Sequence, residues 1–279
     1  MILKSTNVTH SYPESGELPI QMTNDLFFHY LLQDYDEQSI LKGIISSFYD
    51  IPFEEIISAQ VENPISYGED ISSKEMILDV KTLLNDNQII NLEMQVINYK
   101  DWPERSLSYL CRCFDNLHKG QGYLHIKGAY HIGFLDYSLF PDEPEFYATY
   151  SIKNNKTSRL YTSKFGVSVV DLSKIELASD DDKIHHRDLW ASFFKATTWE
   201  EINMLATQDT NINNAAIRLN HLVEDQKIRD QIWARQDQLR REIDMRYFYE
   251  TEIEKTKAEL NEKNKEIERL KQELEKYKK

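Results

Sequence analysis

A chain of 279 residues, 41% apolar and 29% charged with 8 glycines and 7 prolines, can bury a sizeable core, and its composition excludes a disordered protein. Its 33 Lys and Arg against 47 Asp and Glu give a net charge of −14, and residues 253–279 hold nine of the basic and seven of the acidic ones, leaving 24 against 40, or −16, before them. A general basic footprint is therefore excluded, any nucleic-acid surface has to be a local patch, and with no stretch of roughly 18 apolar residues and no apolar leader the expectation is a cytoplasmic protein without a membrane span.

In chain order, residues 1–22 hold Pro13, Gly16 and Pro19 among polar residues and read as an extended arm or loop. Thr23 or Asn24 caps a helix starting at Asp25, with Leu26, Phe27, Tyr30 and Leu31 as its apolar positions, and a second helix is predicted over about Glu37–Tyr49. The period then changes. Ile56–Val61, Glu75–Leu84 and Gln88–Val96 are β-rich, and Asn85-Asp86-Asn87 between the last two is a turn signal. Pro103 suits the first turn of a helix running to about His118, closed by Gly120 and Gly122. On it Arg105, Tyr109, Arg112 and Asn116 form a stripe opposite Leu107, Leu110, Cys111, Phe114 and Leu117. Cys111 and Cys113, the two cysteines, point apart at that spacing, which argues against a bridge and for a reducing compartment.

Tyr130–Tyr137, Phe146–Ile152 and Phe165–Leu172 read as further strands. Beyond Gly166 there is neither glycine nor proline, so the C-terminal third is expected to be helical, with Asp180–His186 as a polar loop capping one of its helices. Ile253, Leu260, Ile267 and Leu274 stand seven apart, with Leu270 and Tyr277 three after the last two, while Thr256 and Lys263 weaken the seam. A second copy of the chain, parallel or antiparallel, would bury this seam; a single solvated helix is the plainer alternative. The order α-α-β-β-β-α-β-β-β followed by helices predicts an α/β (α+β) fold: a mixed sheet flanked by helices, with a long C-terminal helical extension.

If Asn85-Asp86-Asn87 closes a three-residue hairpin, Leu84 pairs with Gln88 and Asp79 falls opposite Glu93. Met76, Leu78, Val80, Thr82 and Leu84 then share a core-facing side with Ile90, Leu92, Met94 and Val96. The other side sets Asp79 and Lys81 against Asn91, Glu93 and Gln95, between aliphatic ends formed by Ile77, Leu83, Ile89 and Ile97. Facing carboxylates repel unless a proton or a cation lies between them, and Mg²⁺ or Mn²⁺ with oxygen ligands is the simplest solution. The plainer alternative is a charged outer face on which Lys81 neutralises both acids.

The run Ile77-Leu-Asp-Val-Lys81, then Ile90-Asn-Leu-Glu-Met-Gln-Val96, then Arg105-Ser-Leu-Ser-Tyr109 and Lys119-Gly-Gln-Gly-Tyr123, resembles the PD-(D/E)xK nuclease family transposases and the related recombination-promoting nucleases. Thr23-Asn-Asp-Leu-Phe27 resembles the helix that opens that family's domain. The resemblance implies a restriction-endonuclease-like core over 23–175, after an arm at 1–22 and before a helical region at 176–250 and a coiled coil at 251–279. It also implies metal-dependent cleavage of DNA in recombination. Carried over, Asp79 and Glu93 are metal-binding and catalytic, and Gln95 occupies the signature's lysine position, so catalysis leans on the metal. Leu78 replaces the proline of the signature. Lys81 either supplies the missing cation or only bridges the acids. Asp25 either takes a metal-bound water or sits favourably in a first helical turn. Arg105 and Tyr109 contact phosphate or brace the carboxylates. The expected protein is a DNA endonuclease that homodimerises through its C-terminal helices. The alternative is a nuclease fold of weak or lost activity that acts as a coiled-coil interaction module, and no residue excludes an RNA substrate.

Overall fold

The computed structural model describes residues 12–33, 38–63 and 79–277, with backbone alone at Glu275 and Tyr277. Residues 1–11 of the arm, the predicted helix start at Glu37, and the predicted strand residues from Glu75 to Leu78 lie outside the described residues. The elements are α1 (Asp25–Leu32), α2 (Ser39–Tyr49), β1 (Ala59–Val61), β2 (Val80–Leu84), β3 (Gln88–Gln95), α3 (Trp102–Phe114), β4 (Gly128–Leu135), β5 (Tyr147–Ser151), β6 (Phe165–Asp171), α4 (Asp180–Ile184), α5 (Arg187–Lys195), α6 (Trp199–Ala206), α7 (Thr210–Glu224) and α8 (Gln226–Tyr277). The chain forms two units, Met1–Trp233 and Ala234–Lys279.

In the first unit six strands form one mixed sheet in the order β1-β2-β3-β4-β6-β5, in which β3, β4 and β6 are parallel and the remaining pairs antiparallel. One face carries Val80, Leu84, Ile90, Leu92, Met94, Ile132, Phe134 and Val170 and is buried under α1, α2 and α5 to α7. Phe28, Phe48, Phe134 and Phe194 meet there edge to face or tilted at ring-centroid distances of 5.2–5.5 Å, a geometry that favours aromatic pairs. The opposite face carries Ile89, Ala129, Leu135, Val167 and Val169 and is covered by Trp102, Leu110 and Cys113 of α3. Helices α5 to α7 thus share one core with the sheet.

Local chemistry sets these elements. Asn24, not Thr23, caps α1 by accepting from the Phe27 amide at 3.0 Å. The β2–β3 turn holds Asn85 and Asp86 both at positive φ (47° and 54°). Asn85 also ties the turn to the segment before β1, accepting from Ser58 N and donating to Glu55 O. β1 is shorter than expected: Ile56 closes the 3-10 turn over Phe53–Glu55, and the Ser58 amide bonds the Asn85 side chain instead of a neighbouring strand. The Asp180 segment is a helix start, with a reciprocal Ser179–Asp182 capping box. Buried Arg187 binds Asp50, Asp181 and Asp182 and pins α5 to the end of α2.

α3 departs from expectation in two ways. It ends at Phe114 because the Asn116 amide bonds Cys113 O and both backbone groups of Lys127, so Asn116 holds a loop and is not part of an outward stripe. Its buried face is Trp102, Ser106, Leu110 and Cys113, whereas Leu107 and Cys111 are exposed. Trp102 dictates this rotation by lying directly over Gly133 of β4, where a Cβ would stand 2.0 Å from its ring.

Candidate functional site

The hairpin has the register read from its turn: Leu84 pairs with Gln88 and Val80 with Leu92, so Asp79, at the entrance to β2, stands in line with Glu93. Both acids are buried, at 8% and 4% exposure, as are Asn91 and Gln95 beside them. The expected outer face is therefore interior, roofed by α3. Parallel pairing of β3 with β4 places His131 beside Asn91 and Gly133 beside Glu93.

A polar chain runs through this pocket. Arg105 of α3 reaches one Glu93 oxygen, Oε1, with both Nε (2.9 Å) and Nη2 (2.7 Å). The other oxygen, Oε2, lies 3.6 Å from Nε2 of the wholly buried His131. His131 Nδ1 meets the Asn91 amide nitrogen at 3.1 Å; with that amide as donor, the imidazole proton sits on Nε2, facing Glu93. Asn91 also hydrogen-bonds Asp79. Tyr109 stacks on His131 with its ring parallel to within 5°, Trp102 packs against the same imidazole, and Arg105 and Arg112 lie over the Tyr109 ring.

Burial dominates the electrostatics. It raises Glu93 from 4.5 to about 7 against the pull of Arg105, and it raises Asp79 against the Asn91 hydrogen bond. Burial and Arg105 lower His131 to about 3, so the imidazole is neutral and its contact with Glu93 is not an ion pair.

The residues named from sequence divide as follows. Asp79, Glu93, Gln95 and Arg105 come together, and Tyr109 touches the cluster through His131. Gln95 donates its Nε2 to Ile97 O at 2.8 Å, which leaves its oxygen for any further partner. Asp25 is near enough to add to the raised Glu93 value, and its own Oδ1 accepts from the Leu26 amide in the first turn of α1. Lys81 bridges neither acid by contact: its ammonium pairs with Glu62 at 2.8 Å, and Arg105 is the cation against Glu93. His131 and Trp102 were not anticipated. Their one signal was a histidine and a glycine at alternate positions of an apolar strand, Ala129-Tyr-His131-Ile-Gly133.

Asp79 Oδ1 and Glu93 Oε2 are buried and without a hydrogen-bond partner, an arrangement that costs free energy unless a cation or proton faces them. Two carboxylates suit Mg²⁺, which typically takes one or two and keeps several waters. Among the described residues no group of three or more His, Cys, Asp or Glu is arranged around one ion, so the protein's share of the ligand shell would be these two acids.

The Glu93 value sets a pH dependence for metal-free protein. A carboxyl raised in the fold contributes stability that is present below 4.5 and lost as pH climbs through about 7. His131, lowered, has the opposite sign: its contribution is present above 6.5 and lost as pH falls toward 3. Because the windows overlap, the test is the difference between parent and Glu93→Gln in denaturant melts with chelator. That difference is expected to shift in favour of the variant by roughly 2–3 kcal/mol between pH 4.5 and 7.5. A flat difference contradicts the burial of an ionisable Glu93.

A family model described as PD-(D/E)XK nuclease family transposase matches residues 22–252, which takes in every element from α1 to α7 and the first half of α8. Searches of curated proteins and of solved structures returned no match. The chain belongs to this nuclease family, and its helix-flanked mixed sheet is consistent with the family's α/β fold. Nucleases of this family generally use divalent metal ions.

Proposed function

We propose that this member of the PD-(D/E)XK nuclease family transposases is a Mg²⁺- or Mn²⁺-dependent DNA endonuclease of recombination type, in which Asp79 and Glu93 hold the cation against a phosphodiester. The observation that carries this reading is the pair of buried, unpartnered oxygens, Asp79 Oδ1 and Glu93 Oε2, in one register of the hairpin. When bound, the cation supplies charge neutralisation at the phosphate and a water of lowered pKa. The protein's share is orientation. Arg105 fixes Glu93 through one oxygen and leaves the other to the metal, Asn91 lies beside Asp79, and neutral His131, 3.6 Å from the free Glu93 oxygen, adds no positive charge there. Gln95, its nitrogen committed to Ile97, accepts a hydrogen bond from the attacking water with its oxygen and so positions it. Tyr109 and Arg112 line the flank of α3 along which the DNA backbone lies. The sheet with α1 to α3 forms the nuclease core (23–175), 176–250 form the helical region, of which α5 to α7 cover the sheet's apolar side, and 251–279 form the coiled coil that makes the protein a homodimer.

DNA needs a basic surface, and the acidic chain has one. Residues 116–135 and 146–170 contain no Asp or Glu but six Lys and Arg: Lys119, Lys127, Lys153, Lys156, Arg159 and Lys164. The two segments are joined, since Lys164 Nζ donates to Leu124 O and Ile126 O and the Ala129 amide donates to Lys164 O. α3 starts over Gly133 and ends against Lys127, so its flank leads from the acids to this patch. Lys119→Glu, Lys156→Glu and Arg159→Glu together are expected to weaken duplex binding about ten-fold or more and to lower the slope of log K against log salt by about three. Unchanged affinity and slope would place the DNA elsewhere.

The functional test is nicking of supercoiled plasmid with Mg²⁺ or with chelator. Metal-dependent conversion supports the reading. No conversion supports instead a fold without turnover that acts through its coil, which the uncharged Gln95 favours.

A further inference from the structure

The second unit, Ala234–Lys279, contains the part of α8 that ends at Tyr277. Ile253, Leu260, Ile267, Leu270 and Leu274 lie exposed on it, each about half accessible. The edges of this seam differ in charge. The residue before each of Ile253, Leu260, Ile267 and Leu274 is acidic: Glu252, Glu259, Glu266 and Glu273. The residue four after each of the first three is never acidic: Lys257, Asn264 and Lys271. The seam thus has one glutamate edge and one lysine edge.

We propose that the occupant of this seam is a second copy of the same chain, parallel and in register. This rests on the homodimer reading above and adds the orientation that reading leaves open. In a parallel pair each flank residue meets the opposite flank of its partner five positions on, so Glu252 faces the second copy's Lys257 and Glu266 faces the second copy's Lys271, each twice by symmetry. In an antiparallel pair like edges meet, glutamate on glutamate and lysine on lysine, which is destabilising.

Within one helix these side chains already pair at i, i+3: Lys255 with Glu252, Lys257 with Glu254, Arg269 with Glu266 and Lys271 with Glu268, at 2.7–3.1 Å. All are exposed and weak, so they yield to or share with partners across the seam. Lys263 stands at a core position of the seam. Its cost and that of Thr256 make the pair weaker than an all-apolar coil, and Lys263→Leu tightens it. A parallel pair brings both chains into the coil from the same end.

The test uses the full chain with Cys111→Ser, to remove the exposed native thiol. Sedimentation is expected to give twice 33.0 kDa. Ile253→Cys alone is expected to form disulfide-linked dimers under mild oxidation, as is Leu274→Cys alone, because each residue meets its own copy. Glu252→Lys, Glu259→Lys and Glu266→Lys together are expected to raise the dimer dissociation constant about ten-fold or more. A monomeric mass overturns the dimer itself. A dimer that cross-links only when the two cysteine variants are mixed overturns the orientation and leaves the dimer standing. Neither readout depends on nuclease activity.

Discussion

Asp79→Asn and Glu93→Gln are each expected to lower metal-dependent nicking by a factor on the order of 10³ or more with the fold intact. Both replacements keep the shape of the side chain and remove its charge, and both sites are buried where a neutral amide costs less than a carboxylate. Asparagine at 79 still reaches Asn91, and glutamine at 93 still accepts from Arg105, so circular dichroism and melting should show no loss of structure. What disappears is the anionic oxygen pair that outweighs the desolvation of a divalent ion. Arg105→Met is expected to cost less, about ten- to hundred-fold, because it releases Glu93 Oε1 and removes the cation that opposes burial, so that Glu93 is harder to ionise but keeps its carboxyl for the metal. Activity unchanged in Asp79→Asn would remove these acids from the chemistry.

Gly133→Ala is expected to destabilise the protein by about 3 kcal/mol or more, since the added Cβ meets the closest contact of any glycine among the described residues. The new Cβ would stand 2.0 Å from Cζ2 and 2.3 Å from Cη2 of Trp102, and the wholly buried indole has no free space in which to retreat. Relief requires α3 to lift, and α3 carries Arg105 away from Glu93 and Tyr109 away from His131. Stability and metal affinity should therefore fall together. Trp102→Leu makes room for the methyl, so in a double-mutant cycle the alanine should cost at least ~1 kcal/mol less in the Trp102→Leu background than in the parent. Additive effects, or a Gly133→Ala protein as stable as the parent, would mean that the tryptophan does not rest on the glycine.

Much of the site was legible because it lies on one hairpin. Asn85-Asp86-Asn87 names its own turn, the turn fixes the register, and side-chain alternation then puts Asp79 and Glu93 on one side and the aliphatic residues on the other. The element order was legible for the same reason: the period changes where the backbone changes. The other wall of the site was not, since it depends on parallel pairing between β3 and β4 through the α3 crossover, and no local pattern specifies which residue of β4 meets Asn91. Hence the strand that carries His131 is legible in the sequence while the place of His131 in the site is not. The buried face of α3 departs from its apolar stripe for a related reason: the stripe points to Leu107 and Cys111, but the close seat of Trp102 on Gly133 rotates the helix. Lys81 shares the acids' side in the alternation, yet Glu62, outside the hairpin, takes its charge.

The most direct measurement is calorimetric titration of Mn²⁺ into chelator-treated protein at pH 8, where Glu93 is ionised. One site per chain is expected in the parent, and none in Asp79→Asn or Glu93→Gln. Equal binding by the parent and both variants, or no binding by folded parent, would contradict the claim that these two carboxylates share one ion.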